Sequence, residues 1–251
     1  MKRLKYITGI ALMAAMLPSS MKAQTQNEPL RIQRLAGNCY VYTTMGTLEN
    51  GARFPSNSMY VITRQGAVMI DIPWDTAQLM PLLDTIRQRH GKEVIACIAT
   101  HFHDDRTAGL NALAARGIKT YSTALTLALC KKEQNDQAEY IIPEDTTFRF
   151  GDRRLEVFYP GAGHSPDNIV IWVPEDKVLY GGCFVKSTDS RDLGNLSDAS
   201  PHEWKKSMMK LKARYPRPVA TVPGHGPLDS RHNACDHTLQ LIKAYGEEHP
   251  Q

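Results

Sequence analysis

Two mixed β-sheets packed face to face, with helices on their outer sides, are the α+β architecture that this sequence predicts. Three observations carry it. Short runs with period-two apolar alternation recur along the chain, strand and helix patterns alternate in two separate regions, and two hairpin signals fall between those regions. Hairpins demand antiparallel pairing while strand–helix–strand units demand parallel pairing, so one parallel sheet does not accommodate both. The 251 residues suffice for one domain with a large core, and 42% apolar with 22% charged residues is ordinary for a soluble globular chain.

The elements follow in order. Lys2, Arg3 and Lys5, the apolar run Tyr6 to Leu17 and the small-residue region Pro18 to Ala23 read as a secretory signal, residues 1–23, cleaved before Gln24. The apolar run is too short to span a bilayer with ease, and no Cys before Cys39 offers a lipid attachment point. The expectation is therefore an exported, periplasmic domain over 24–251, without a membrane anchor and monomeric. Removing Lys2, Arg3, Lys5 and Lys22 leaves 26 basic against 26 acidic residues, which gives no electrostatic case for a nucleic-acid partner. Five cysteines remain, an odd number, so at least one is unpaired within the chain. Cys97, Cys130 and Cys235 read as small buried hydrophobes.

Asn38 to Thr43 and Ser58 to Val68 read as strands, joined by Thr44 to Asn57, a polar and Gly-containing stretch expected to be a mobile hairpin loop. Met69 to Trp74 ends a further strand, and Asp75 or Thr76 caps a helix that buries Leu79, Leu82, Leu83 and Ile86 and stops at Gly91. A strand over Val94 to Ala99 precedes a helix from Thr107 to Arg116, a strand at Ile118 to Ser122 and a helix at Ala124 to Lys132. Gly151-Asp152 and Pro174-Glu175-Asp176 turn two hairpins, over Thr147 to Pro160 and Ile169 to Tyr180. A helix over His202 to Tyr215, a strand at Val219 to Val222 and a helix at Asn233 to Tyr245 close the chain.

Chemistry concentrates where strands end. His101-Phe102-His103-Asp104-Asp105-Arg106 follows the apolar run, and extended alternation puts His101, His103 and Asp105 on one side and Asp104 on the other. Two imidazoles and a carboxylate aimed at one volume suit a divalent metal, zinc first. The motif alone is weak, since three polar loop residues are usually just solvated. Three later segments repeat the arrangement: His164 in Gly161-Ala162-Gly163-His164-Ser165-Pro166-Asp167-Asn168, Cys183 after Gly181-Gly182, and His225 in Pro223-Gly224-His225-Gly226. Each has a metal-capable side chain beside glycine at a strand end, and four such events along one chain are hard to obtain by accident.

This set, with Ile70-Asp71-Ile72-Pro73-Trp74 and Leu193-Gly194-Asn195-Leu196-Ser197-Asp198-Ala199, resembles the metallo-β-lactamases of subclass B1 over nearly the whole mature chain. The resemblance implies a four-layer αβ/βα sandwich with two zinc ions at one edge. His101, His103 and His164 would hold the first zinc, and Asp105, Cys183 and His225 the second. It also implies zinc-dependent hydrolysis of the amide bond of penicillins, cephalosporins and carbapenems, small-molecule β-lactams, with antibiotic resistance as the outcome. Three neutral imidazoles leave the first ion its full charge, so its water can ionise near a pKa of roughly 7 and attack. Asp105 would orient that water. Lys186 would grip the substrate carboxylate, and Asn195 would bind near the carbonyl oxygen. Asp71 and Arg106 would fix the ligand loop. Thr44 to Asn57 matches the family's loop over the substrate, with Met45, Phe54 and Trp74 as apolar contacts, each equally readable as plain packing. Asp104, and Ala108 where many relatives have Gly, depart from the common pattern.

Other readings fare worse. Ser207-Met208-Met209-Lys210 and Ser19 to Lys22 match S-x-x-K formally, yet neither S-D-N nor K-T-G occurs, and His202-Glu203 lacks the second His of a zincin. A hydroxyacylglutathione-type thioester hydrolase would carry His where Arg106 stands and a carboxylate in place of Cys183. A non-catalytic exported zinc-binding protein would favour closed, Cys-rich coordination.

Overall fold

The computed structural model describes residues 30–48, 50–228 and 234–249, so the 1–23 signal reading and the Asn233 helix start lie outside it. Seven strands form the first sheet in sequential order: β1 (Arg31–Ala36), β2 (Cys39–Thr47), β3 (Arg53–Ile62), β4 (Ala67–Ile70), β5 (Val94–Ile98), β6 (Lys119–Thr123) and β7 (Tyr140–Ile142). Its first four are antiparallel neighbours, and β4 to β7 run parallel. The second sheet is ordered β12 (Ala220–Pro223), β11 (Val178–Gly182), β10 (Val170–Val173), β9 (Arg153–Phe158), β8 (Thr146–Phe150), with only β11 and β12 parallel.

Period-two alternation builds four layers. Val41, Met59, Val61, Ile70 and Ile98 face Ile171, Val173, Tyr180 and Val222 between the sheets. Their chain neighbours Tyr42, Tyr60, Met69 and Cys97 point outward onto Leu82 and Ile86 of α1 (Leu79–His90) and onto Leu110 and Leu113. On the far side Val170 and Leu179 meet Trp204, Met208 and Leu211 of α5 (Pro201–Arg214) and Ile242 of α6 (Ala234–Glu248). Each buried Leu, Ile or Met contributes roughly 1.5–3 kcal/mol by leaving water, and the alternation lets one strand supply two cores. The predicted sandwich is therefore the observed fold.

Several local expectations need correction. Thr44 to Asn57 is not a loop: β2 and β3 keep one antiparallel register from Cys39↔Val61 to Thr47↔Arg53, so only the segment between Thr47 and Arg53 turns. Ser58 to Val68 is two strands, because Thr63 and Gly66 close a tight turn, with the Thr63 hydroxyl donating to the Gly66 carbonyl at 2.8 Å. Helix Thr107 to Arg116 is two pieces, α2 (Asp104–Thr107) and α3 (Leu110–Ala114), broken where Gly109 adopts φ 113°. Asp136 starts the second piece from a distance by accepting from Gly109 N at 2.8 Å and Asn111 Nδ2 at 2.8 Å. The first turn forms early enough that Asp105 is helical, so it joins the histidines by a helical turn rather than by strand alternation. Strand β1, which lacks an apolar run, and β7, only three residues long, were not expected. Helix α4 (Ala124–Glu133) starts at Thr123, whose hydroxyl accepts from Thr126 N, and α1 ends at left-handed Gly91. The five cysteines are all free and buried.

Candidate metal centre

One rim of the sandwich collects the strand ends. His101 and His103 follow β5, Asp105 lies in α2, His164 sits between β9 and β10, Cys183 follows β11, and His225 follows β12. His101, Asp105, His164 and Cys183 are buried, while His103 and His225 are partly exposed.

Two groups of donors converge. His103 Nδ1 lies 3.1 Å from His101 Nε2 and 3.1 Å from His164 Nε2. Burial, then the neighbouring imidazoles, holds His101 and His164 well below the ordinary histidine pKa, so they present lone pairs rather than protons. Three such nitrogens repel one another unless a cation sits among them, and tetrahedral zinc–nitrogen bonds of about 2.0–2.1 Å put the donors roughly 3.3–3.4 Å apart. The donor set fits zinc. In the second group His225 Nε2 lies 3.1 Å from Cys183 Sγ and 3.3 Å from Asp105 Oδ2, and Cys183 Sγ lies 3.7 Å from that oxygen. His101, Asp105 and Cys183 also have donor atoms within 4.8 Å of one another, so the two groups adjoin.

The other ring nitrogens set the tautomers. His225 Nδ1 is 2.8 Å from the Pro55 carbonyl, which obliges it to donate and aims Nε2 inward at the second group. His103 Nε2 meets Asp198 Oδ2 at 3.1 Å, a carboxylate–imidazole pair that frees Nδ1 for the first group. Burial opposes charge on His225, but Cys183 and Asp105 raise its pKa to about 9. Burial would lift Asp105, yet the Arg106 guanidinium at 2.9 Å, with His225, holds its carboxyl well below the usual range.

Arg106, fully buried, ties these parts together. One terminal nitrogen donates to Cys183 Sγ and the Gly224 carbonyl, both at 3.0 Å, and the other to the Asn57 carbonyl at 2.7 Å and Tyr180 Oη at 3.0 Å. Asp71, 3.6 Å from that second nitrogen, is the fixed point beneath. It is a non-glycine at φ 60° and accepts from Thr100 N at 2.7 Å, Thr100 Oγ1 at 2.8 Å and Tyr180 Oη at 2.7 Å. Such strain persists only where surroundings over-determine it. Burial outweighs these partners and pushes its carboxyl up to about 6.

Around the donors, Lys186 Nζ sits 5.3 Å over the Trp204 ring, and burial lowers its pKa. A methyl group on Gly194 would come 3.5 Å from that nitrogen, so Lys186 reaches the strip bearing Asn195. Asn195 is exposed, and its carbonyl accepts from Ser197 N at 3.0 Å, leaving the amide N–H₂ to donate outward. Phe54 and Trp74 rings flank His225 at 5.1 and 6.0 Å. Trp74 lies so flat on Gly46 that a Cβ there would come within 2.1 Å of the ring, and its indole N–H reaches Asp104 at 3.4 Å. Asp104 is exposed and turned from the donors, and Met45, half-buried, pairs with Pro55 across the hairpin.

Sequence reasoning missed two residues. Asn57, read as a loop end, donates from Nδ2 to the Pro223 carbonyl at 3.1 Å and the Gly226 carbonyl at 2.8 Å, bracketing His225. Asp198 was only part of a matching stretch. Neither carries a local signal, because each acts on a partner more than ninety residues away.

Similarity to known proteins points to one family. The family model described as "Metallo-beta-lactamase superfamily" matches residues 51–225. A "Metallo-beta-lactamase type 2" of Elizabethkingia meningoseptica is 39% identical over 249 residues, 99% of this chain and 98% of the relative. The crystal structure of metallo-beta-lactamase IND-7 superposes with TM-score 0.82 at 38% identity, covering 87% of this chain and all of that one. FIM-1 from Pseudomonas aeruginosa, solved in a mono-zinc form, gives 0.81 at 28%, covering 89% and 99%.

Proposed function

Since the chain belongs to the metallo-beta-lactamase superfamily, we propose that it hydrolyses the amide bond of β-lactam antibiotics with zinc and so confers resistance to them. The observation that carries this is the convergence of three imidazole nitrogens at 3.1 Å beside an acid–thiol–imidazole group. His101, His103 and His164 would hold one zinc, and Asp105, Cys183 and His225 a second. Bound there, zinc supplies Lewis acidity and acidifies water toward a pKa of roughly 7.

The chain's own groups do the rest. Asp105, kept ionised by Arg106, orients the attacking water. Lys186 pairs with the substrate carboxylate, and Asn195 donates from its free amide to the lactam carbonyl oxygen as charge develops there. Arg106 and Asp71 hold the ligand-bearing turns in place. Phe54 and Trp74 pack on substituents of the ring. Export to the periplasm as a monomer, after removal of residues 1–23 from a 24–251 domain, completes the reading. No helix among the described residues is long and apolar enough to cross a membrane.

The purified protein should hydrolyse a chromogenic cephalosporin, lose that activity to a chelator and regain it with zinc. Turnover surviving complete metal removal would defeat the proposal. Thioester hydrolysis without lactam hydrolysis would transfer it to the glutathione-thioester class, and zinc uptake with neither activity to a binding protein.

A further inference from the structure

Asp167 is 2% exposed, and neither carboxylate oxygen has a hydrogen-bond partner among the described residues. No Lys, Arg or His nitrogen lies within ion-pairing reach of it among those residues. The hydroxyls of Thr126 and Ser165 turn toward it without reaching hydrogen-bond geometry, and burial raises its pKa. An unpaired buried carboxylate is costly, and no hydrogen bond ties this one to the loop that carries it. That loop is framed by other groups: Asn168 Oδ1 accepts from Ser165 N at 3.0 Å, Asn168 Nδ2 donates to the Gly161 carbonyl at 2.9 Å, and Tyr159 Oη donates to the Pro166 carbonyl at 2.8 Å.

The position of the charge is informative. Asp167 stands three residues after His164, and its field reaches Cys130, whose Sγ lies 3.8 Å from the Phe102 carbonyl between His101 and His103. It therefore lies behind the three-imidazole group, close enough to His103 for the two to interact electrostatically. The second group has Asp105 and Cys183 to balance a divalent ion, whereas the first has only neutral ligands. Asp198, which touches His103, has a side chain 44% exposed and is screened by solvent.

We propose that Asp167 is a positioning residue, a buried counter-charge that tightens divalent-metal binding by the imidazoles of His101, His103 and His164 without touching the ion. This rests on the reading that those three histidines hold a metal. The cost of the lone carboxylate is borne in the metal-free chain and offset when the cation arrives.

The test is Asp167→Asn, with Asp167→Ser as a second neutral variant. Zinc titration in competition with a chromophoric chelator should show the affinity of the three-histidine site about ten- to hundredfold weaker, with the other site unchanged. The metal-free variants should unfold at the same or higher denaturant than wild type, a sign that a structural role would reverse. Wild-type affinity in the variants, lower metal-free stability, or failure of both variants to fold overturns the proposal. Absence of zinc uptake by the wild type would instead defeat the metal reading itself.

Discussion

At the scale of single residues, Asp105 and His225 oppose each other in their dependence on pH. The Asp105 carboxyl is depressed, so its contribution to the metal-free fold is complete above about pH 3.9 and is lost as pH falls through its lower folded value. His225 is raised to about 9, so its contribution is complete below its unfolded value of about 6.5 and is lost as pH rises through 9. Asp71, pushed up to about 6 by burial, costs stability as pH rises from about 3.9 through 6, within the acid range. Denaturation of chelator-treated protein should therefore show Asp105→Asn flattening the acid limb and His225→Gln flattening the limb between about 6.5 and 9. Taking each variant as a difference from wild type cancels Asp71. An unchanged alkaline limb in His225→Gln would show that the imidazole is not held between Asp105 and Cys183. Cys183→Ser should keep the fold and lower second-site zinc affinity at least about tenfold, because a hydroxyl is a far poorer ligand than a thiolate. Unchanged metal content in that variant would remove the thiol from the ligand set.

Elements act through how closely their ends approach. Gly224 lets the end of β12 lie against the end of β11: a Cβ there would come 2.5 Å from Cys183 N and 2.7 Å from the Gly182 carbonyl carbon. Backbone cannot move aside cheaply, so Gly224→Ala should destabilise by about 1–3 kcal/mol and separate Cys183 from His225, with second-site affinity falling and the first site intact. Equal loss at both sites would indicate general unfolding instead. Spacing and glycines made this rim readable in the sequence: His101, His103 and Asp105 were flagged by their alternation, His164, Cys183 and His225 by adjacent glycines, and the strands by apolar residues serving two cores in alternation. The rest was hidden for physical reasons. The break between α2 and α3 depends on Asp136, a cap supplied from outside the segment, and β1 is an edge strand with a polar, exposed pattern. Asn57 and Asp198 do their work only after folding brings the end of β12 beside the first and His103 beside the second.

For the whole molecule, both donor groups cross the sandwich. His101 and His103 leave the first sheet and meet His164 of the second; Asp105 leaves the first and meets Cys183 and His225 of the second. Without metal, the rim is held by charged and polar links, chiefly from Arg106 and Asn57, and by the core between the sheets. Each bound ion adds a link between layers, and a ligand that binds only the folded state stabilises it by about 4 kcal/mol at a thousandfold excess over its dissociation constant. A domain of this size gains about 2–4 °C per kcal/mol, so chelation should lower the melting temperature by on the order of ten degrees per site. Calorimetry with and without chelator measures the sum, and Cys183→Ser should retain roughly the share belonging to the three-histidine site. The same melting temperature in both conditions would mean that the two sheets are not joined through these donors, and the six side chains would then be neighbours without a shared cation.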